Sequence, residues 1–417
     1  MAHTVLGSVS LGYQLLWSQL RAVRGVQLFV GIDDTQAVDA LHLLNAINEL
    51  WSDQAPTLLL SFQSNRLLSD ILDHAPASSR WYEVHESQLH APAMASRVHK
   101  AFQRGLKLIW RGEPGSRPGA ALAPCFLRTV ISLTAEEALA GLRVSLRKHN
   151  DADSTRPYQV VSPVLANQIY ESVASWVLTE HCLDQQNAWA VAGWPVEDVL
   201  HGYRHQRIKP GHRAVVALIE AIDGDESVEQ IEKILSEEPI LAYRFLRFAN
   251  SASLSLRTEV ESIRQGLIVL GVSVIRAWLL EQLPNAASDL NLHPVRAAMV
   301  IRARLMEQIL DAGNSDDLRR EVYMCGLLSQ MDLLLGEPLN ESLARLRMSE
   351  RISAAILNHS GPYMPSLDMA TALESPQTHA TRVLCDTHQM DMEEVNRALL
   401  RTLSQIRPHP VKGLLLV

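Results

Sequence analysis

The feature that most constrains this chain is a series of closely spaced helix boundaries between Glu237 and Leu283. Pro239 stands where the first residue of a helix would be, a position that needs no backbone N–H. Asn250 can end that helix, because asparagine tolerates the left-handed conformation found at helix ends. Apolar residues recur between them at helical spacing. The stretch therefore predicts a short helix from Pro239 to Asn250.

Two further helices are predicted in the same stretch. Ser262 and Gln265 have the spacing of a capping box, which opens a helix. Gly271 can end that helix, and Ser273 can cap a third one that runs to the break at Pro284. Three short helices with tight joints predict a compact helical core.

This stretch resembles the centre of the HDOD domain, an all-α relative of the HD phosphohydrolases. The resemblance rests on Glu-Glu-Pro before a helix, on Arg-Phe-Ala-Asn-Ser ending at Ser251, on Ser-Ile-Arg-Gln starting at Ser262, and on Leu-Gly ending at Gly271. These motifs follow in the family's order and at its spacing. The resemblance implies structural roles for Pro239, Asn250, Ser251, Ser262 and Gly271; a generic helical bundle is the alternative.

The composition limits the classes of protein that are possible. A chain of 417 residues suits two domains, and 47% hydrophobic residues exclude global disorder. The net charge of −8 argues against a nucleic-acid binder. The four cysteines are far apart in the sequence, so they predict neither a zinc site nor a disulfide framework.

The sequence also gives an expectation about location. The N-terminus lacks the basic and apolar regions of a signal peptide. The most apolar run, Gly266 to Ile275, is far shorter than the ~20 residues that span a bilayer. We therefore expect a cytoplasmic protein with no membrane partner.

The N-terminal half alternates between strand-like and helix-like segments, the last helical one being Val164 to Thr179. This alternation predicts a parallel sheet, open or closed into a barrel. No comparable strand pattern follows residue 187. We expect an α/β domain over residues 1–190 and an all-α domain over residues 191–417. The predicted strands are Gln27–Ile32, Thr57–Phe62, Trp81–Val84, Leu106–Trp110, Phe126–Leu133 and Tyr158–Val161.

The N-terminal half resembles the EAL domain, a barrel that hydrolyses the bacterial second messenger cyclic di-GMP. Three segments carry the resemblance: Gly12 to Trp17, Leu58 to Asn65, and Trp81 to Glu86. The combination of the two resemblances implies a degenerate EAL-like (β/α) barrel followed by a helical HDOD domain, an architecture known in bacteria.

The resemblance also implies where catalytic residues should be, and several are replaced. Gln14 stands at the family's signature glutamate, Ser61 at an asparagine, and Arg111 with Gly112 at two adjacent aspartates. Glu83 matches one acidic ligand. The strand expected to carry the catalytic lysine contains none. Because one carboxylate cannot hold the divalent cations that this chemistry needs, we expect no metal, no cofactor and no hydrolysis.

The HD-type site is also replaced. Ser329 and Gln330 stand where HD phosphohydrolases have a metal-binding His and Asp, and lacking those ligands is typical of HDOD domains. His201 and His205 have the spacing of a two-histidine metal pair, but their surroundings are basic, which opposes cation binding. The basic strip, residues 201–213, is interpreted as a solvated joint between domains; attraction of a phosphate or an acidic partner is the alternative.

These features predict a bacterial signal-transduction protein without enzymatic activity. The resemblance implies a role in motility, biofilm formation or virulence, through binding to other signalling proteins. One alternative is a sensor that binds cyclic di-GMP without cleaving it. Another is a residual cyclic di-GMP phosphodiesterase.

Overall fold

A computed structural model of the chain describes residues 4–32, 38–150, 161–251, 260–310, 315–346 and 348–407. These residues form two compact units. The first comprises residues 4–199 and 372–407, and the second comprises residues 200–371. The expected single all-α domain over residues 191–417 needs a correction, because the chain returns to the first unit after residue 371.

The first unit is built on a closed eight-stranded barrel in which the strands follow one another in sequence order. Strand β1 is antiparallel to both β2 and β8, and all other neighbouring pairs are parallel. The predicted combination of an α/β barrel and an all-α domain is thus confirmed. The strands are β1 Val9–Trp17, β2 Val23–Ile32, β3 Thr57–Phe62, β4 Trp81–His85, β5 Lys107–Arg111, β6 Phe126–Ser132, β7 Ile169–Glu171 and β8 Ala190–Ala192.

Three of these strands, β1, β7 and β8, were not predicted. The helix predicted from Val164 to Thr179 is wrong, since β7 lies inside that range and a helix begins only at Trp176. β7 and β8 have three residues each, which is too short for a periodic pattern. Most of the predicted strand from Tyr158 to Val161 lies outside the described residues, and Val161 belongs to no strand.

Helices cover the barrel between its strands, and two more come from the C-terminal segment. Some of them have side-chain N-caps of the usual kind: Asp39 and Ser64, for example, accept hydrogen bonds from backbone N–H groups in the first turns of their helices. The helices are α1 Ala40–Leu50, α2 Asn65–His74, α3 Pro92–Gln103, α4 Ala135–Asn150, α5 Trp176–Glu180, α6 Val196–His201, which reaches the second unit, and α17 His379–His388 and α18 Met392–Ser404.

The second unit is all-helical over its described residues. Its helices are α7 His212–Asp223, α8 Val228–Ser236, α9 Pro239–Ala249, α10 Ile263–Gln282, α11 His293–Ile309, α12 Asp316–Leu328, α13 Met331–Leu335, α14 Leu339–Ala344, α15 Glu350–Asn358 and α16 Met364–Leu373, which reaches the first unit. Pro239 occupies the first turn of α9 as predicted, and Glu238 caps that helix by accepting from Leu241 N at 2.6 Å. The Ser262 side chain caps α10 by accepting from Gln265 N at 3.2 Å.

Asn250 fixes the connection between α9 and α10. Its Nδ2 donates to the carbonyls of Leu246 and Val260 at 3.1 and 2.8 Å, and its Oδ1 accepts from Val260 N at 2.9 Å. The neighbouring Ser251 N donates to the carbonyl of Phe248 at 3.0 Å. Both residues therefore have a structural role at the end of α9.

Gly271 ends the first of the two helical segments that together form α10, as the sequence predicted. Its φ of 72° and ψ of 157° are non-helical, and glycine adopts a positive φ without steric cost. The separate helix expected after Ser273 is thus the second segment of α10. Together with the following turn, the range Ile263–Asn285 is the one described helix long and apolar enough to cross a membrane, and 28% of its apolar window is buried. Core helices can meet the same criteria, so this finding is weak evidence for a membrane span.

The C-terminal helices α17 and α18 complete the barrel unit. Asn396 on α18 donates from Nδ2 to the carbonyls of Leu6 and Val9, both at 2.8 Å. The loop before α17 approaches β1 so closely that a Cβ on Gly12 would lie 2.1 Å from the carbonyl oxygen of Ser375. Glycine at this position therefore permits backbone-to-backbone contact between the two ends of the unit.

Replacing Asn396 with alanine should destabilise the barrel unit by about 1–3 kcal/mol, because two carbonyls would lose their donor in a buried site. Urea unfolding followed by tryptophan fluorescence measures this, since Trp278 is the one tryptophan of eight outside the barrel unit. The exposed Gln405→Ala on the same segment should change the stability by less than about 0.5 kcal/mol. Equal effects of the two substitutions would contradict the proposed contact.

Candidate functional site

Polar side chains from consecutive strands meet inside the barrel. Gln27 on β2, Ser61 on β3, Glu83 on β4, Arg111 on β5 and Glu171 on β7 form one hydrogen-bonded cluster. All except Arg111 are less than 9% exposed. We call this set the barrel cluster.

Arg111 connects the two carboxylates of the barrel cluster. Its Nη2 and Nε donate to Glu171 Oε2 and Oε1 at 2.6 and 3.1 Å, a two-pronged ion pair. Its Nη1 lies 3.5 Å from Glu83 Oε1. Ser132 Oγ on β6 also donates to Glu171 Oε1 at 2.7 Å. The Glu171 carboxylate thus accepts three hydrogen bonds, all from donors of this chain.

Gln27 supplies a neutral amide to the other carboxylate. Its Nε2 donates to Glu83 Oε2 at 2.7 Å and to Ser61 Oγ at 3.0 Å. Its Oε1 is buried and has no hydrogen-bond partner among the described residues. The amide therefore presents its donor, and not its oxygen, to Glu83.

The pKa values of Glu83 and Arg111 in the barrel cluster are shifted from their ordinary values. Burial raises the pKa of Glu83 to about 7, an effect that Arg111 opposes and the charge of Glu171 reinforces. Burial also disfavours the charged guanidinium, but the negative charges of Glu83 and Glu171 outweigh this and raise the pKa of Arg111. Arg111 therefore stays cationic, while Glu83 takes up a proton near neutral pH.

The structure brings together three of the four predicted positions, Ser61, Glu83 and Arg111. The fourth, Gln14, is corrected: it lies on β1 opposite Gln27, outside the cluster, with a partly exposed side chain. Both glutamines follow a Gly-x pair and precede a Leu, in Gly-Tyr-Gln-Leu and Gly-Val-Gln-Leu. The second occurrence, inside a predicted strand, was the signal that could have identified Gln27.

Glu171 was missed because its strand was predicted to be helix. The expectation of a single carboxylate is therefore wrong, since Glu83 and Glu171 both point into the cluster. The two carboxylates nevertheless do not fit a divalent-cation site, because the Arg111 guanidinium occupies the position between them. No group of three or more potential metal-ligating side chains occurs among the described residues.

A cavity of about 460 Å³ opens beside β7 and β8 of the barrel unit. Gln14, Ser172, Gly193 and Trp194 line it, together with carboxylates from α6. Ser172 directly follows Glu171 in the sequence, but none of the residues of the barrel cluster lines this cavity.

The remaining predicted positions have structural contacts. Ser329 Oγ donates to the carbonyl of Gly326 at 2.7 Å at the end of α12. We assign the Gln330 amide with its oxygen towards Arg302, whose Nη1 and Nη2 then donate at 3.1 and 3.2 Å. Neither position presents an anionic ligand.

The histidine pair of the basic strip is separated by an arginine. The Arg204 guanidinium contacts His201 Nε2, and its Nε lies 3.0 Å from His205 Nε2. A cation between these two imidazoles would meet that positive charge.

Comparison with known proteins identifies the second unit. Residues 212–354 match the family model of the HDOD domain. The helical unit contains an HDOD domain. Together with the closed barrel, this confirms the expected combination of an α/β barrel with an HDOD domain.

Two relatives are similar to this chain in sequence. The uncharacterized protein YuxH of Bacillus subtilis is 25% identical over 42% of this chain and 43% of its own length. The cyclic di-GMP phosphodiesterase CdgJ of Vibrio cholerae is 20% identical over 47% of this chain and 46% of its own length. The chain thus spans less than half the length of these relatives.

Solved structures are similar at a lower level. The MmoQ response regulator of Methylococcus capsulatus has a TM-score of 0.37 at 16% identity, covering 46% of this chain and 98% of that one. The Bacillus subtilis YkuI protein, which has an EAL domain and was solved with cyclic di-GMP and calcium, has a TM-score of 0.28 at 13% identity, covering 45% and 53%. Both scores are below 0.5, so neither similarity bears on function.

Replacing Arg111 with methionine should destabilise the barrel unit by about 3–5 kcal/mol, because two buried carboxylates would lose their cation. Adding Glu171→Gln to Arg111→Met should recover part of this loss, since one uncompensated charge is removed. Urea unfolding of both variants measures the effect. Arg97→Met, which breaks a half-exposed ion pair with Asp73, is the matched control and should cost less than about 1 kcal/mol. A loss in Arg111→Met as small as in the control would refute the role of Arg111.

The stability difference between the wild-type protein and Glu83→Gln should depend on pH. Because the folded pKa of Glu83 is about 7 and its ordinary value is 4.5, the folded state binds more protons between these values. The wild type should therefore lose stability relative to the variant as pH rises from about 5 to about 7, by roughly 1–3 kcal/mol, and then level off. Urea unfolding at several pH values measures this, and a difference independent of pH would contradict it.

Proposed function

We propose that this protein is a non-catalytic bacterial signal-transduction protein that acts by binding other proteins. The observation that carries the proposal is the position of Arg111, which is paired in two-pronged fashion with Glu171 and reaches Glu83. Both carboxylates of the barrel are thereby in contact with a cation that belongs to the chain itself.

Metal-assisted hydrolysis requires negative charge that is available to bind a cation. Divalent cations that activate water are held by several oxygen anions, and these must be free to bind them. A guanidinium remains protonated at all physiological pH values, so it competes permanently for the same oxygens. Gln27 adds a neutral amide where a further anion would help. The barrel cluster therefore serves as a structural ion-pair network.

The family context supports a signalling role. An HDOD domain is present, and one relative is named as a cyclic di-GMP phosphodiesterase. In this proposal the barrel does not hydrolyse the messenger. The barrel and the helical domain together would then regulate other signalling proteins by binding to them. Motility, biofilm formation and virulence are the processes that we propose it affects, with other signalling proteins as its partners.

Purified full-length protein incubated with cyclic di-GMP and Mg²⁺ or Mn²⁺ should release no linear dinucleotide above a chelator control. Reversed-phase chromatography of the products measures this. Metal-dependent turnover that Glu83→Gln abolishes would end the proposal in favour of a residual phosphodiesterase.

A pair of double variants tests why the site is inactive. Arg111→Asp with Gln27→Glu restores anions inside the barrel cluster and should bind Mn²⁺ measurably in calorimetry. Arg111→Asp with Gln14→Glu is the matched control, because it has the same charge with one anion outside the cluster. Stronger Mn²⁺ binding by the control would show that Gln14, and not Gln27, belongs to the site.

A sensor that binds cyclic di-GMP without cleaving it is the second candidate. The cavity of about 460 Å³ beside β7 and β8 supports it by size alone, since the carboxylates of Glu197 and Asp198 in its wall repel a phosphate. Calorimetry with cyclic di-GMP separates the candidates: saturable binding that is lost in Ser172→Trp would support the sensor, and no heat would support protein recognition alone.

A further inference from the structure

The helical unit contains a cleft of about 720 Å³ whose wall combines arginine and aromatic side chains. All of its lining residues belong to this unit. We call it the arginine cleft and define it by Arg207, Arg244, Arg247, Arg345, Phe248 and Trp278. Arg247 and Phe248 lie in the HDOD motif that ends at Ser251, for which the sequence indicated only a structural role.

The positive charge of the arginine cleft is poorly compensated. One carboxylate, Glu337, lines it and is held by Arg345 Nη1 at 2.7 and 2.8 Å. Arg207, Arg244 and Arg247 form no ion pair with any described carboxylate. Three guanidinium groups therefore face one cavity without a bound anion from the protein.

Arg244 is the most constrained of these three groups. Its Nη1 donates to Gln282 Oε1 at 3.2 Å and its Nη2 to the carbonyl of Ile208 at 3.4 Å, which hold it at the cavity wall. Burial lowers its pKa, Glu238 opposes this, and the charges of Arg207 and Arg247 lower it further. An anion in the cleft would relieve this repulsion between like charges.

Another part of the cleft wall is flat and apolar. Phe248 stacks on Trp278 with ring centroids 5.5 Å apart and an interplanar angle of 17°. Ile208, Leu334 and Leu335 continue the apolar surface. Such a surface favours a planar ring system, because aromatic side chains and bases stack in parallel.

We propose that the arginine cleft binds a nucleoside phosphate, with its phosphate among the guanidinium groups and its base against Phe248. Guanidinium groups pair with phosphate oxygens through two parallel hydrogen bonds, which is stronger than an ordinary ion pair. The cavity volume lies within the range that encloses a small ligand. An acidic peptide would use the charge but not the stacked aromatic surface. The proposal does not depend on the state of the barrel.

A neighbouring cleft extends the basic surface. It has a volume of about 480 Å³ and shares Arg207, Ile208 and Leu334 with the arginine cleft. Arg204 and His205 of the basic strip also line it. The basic strip thus continues one wall of the proposed site. This position agrees with the alternative interpretation of the strip, which was attraction of a phosphate.

Calorimetry on the full chain at low ionic strength tests the proposal with four probes: AMP, GMP, ribose 5-phosphate and guanosine. At least one nucleotide should bind with a Kd below about 1 mM, at least tenfold more tightly than ribose 5-phosphate or guanosine. This order is expected because only a nucleotide uses both walls of the cleft.

Two variants locate the binding. Arg247→Met should weaken nucleotide binding about tenfold or more, since a charge-assisted hydrogen bond is lost. Phe248→Leu should weaken nucleotide binding but leave ribose 5-phosphate binding unchanged. Arg276→Gln is the matched control, because it removes a positive charge from α10 at an ion pair with Asp223, outside the cleft. It should bind like the wild type.

Several results would overturn the proposal. These are no heat with either nucleotide, equal affinity for ribose 5-phosphate and the nucleotides, or equal losses in Arg247→Met and Arg276→Gln. Tighter binding of a polyglutamate peptide than of both nucleotides would assign the cleft to an acidic protein segment instead. Because none of these results involves the barrel cluster, they leave the proposed function of the barrel unaffected.

Discussion

The barrel depends on one guanidinium placed between two carboxylates. Burying Glu83 and Glu171 together would be strongly unfavourable without a cation, because each loses its hydration and each repels the other. Arg111 supplies that cation covalently, so the strands close around a network that carries its own counter-charge. Under the proposed function, the Arg111 guanidinium also occupies the carboxylate oxygens that a metal ion would need. The stability of the barrel and the proposed loss of metal binding then have a common physical origin.

The sequence predicted the fold class because its longer segments carry strong periodic signals. The strand containing Gln27 and the helix starting at Pro239 are long enough to show apolar spacing and boundary residues. The short strands β7 and β8 are specified by closure of the barrel, a constraint between distant residues that local patterns do not contain. The prediction of the site had the same limit. Ser61, Glu83 and Arg111 were predicted because their strands were recognised, whereas Glu171 was missed because β7 was not predicted. Gln14 was predicted and Gln27 was overlooked, because the local sequence context that they share does not distinguish them.

The HDOD motif illustrates how a structural signal can also contain a binding surface. Asn250 closes the connection to α10 through hydrogen bonds to Val260, which explains its place in the motif. Two and three residues earlier, Phe248 and Arg247 lie on the outer side of the same helix and line the arginine cleft. Sequence spacing identified the apolar positions of α9, but it could not show that arginines from separate segments converge there. That convergence is a property of the tertiary structure alone.

The attachment of α17 and α18 to the barrel has a consequence for how the molecule is made. The helical unit is an insertion, bounded on both sides by parts of the barrel unit. During synthesis from the N-terminus, all eight strands leave the ribosome before Asn396 exists to pair with the carbonyls of Leu6 and Val9. β1 therefore stays incompletely covered while more than a hundred residues of the helical unit are translated and fold. A nascent chain of this kind keeps part of β1 without its final cover until α18 has been translated.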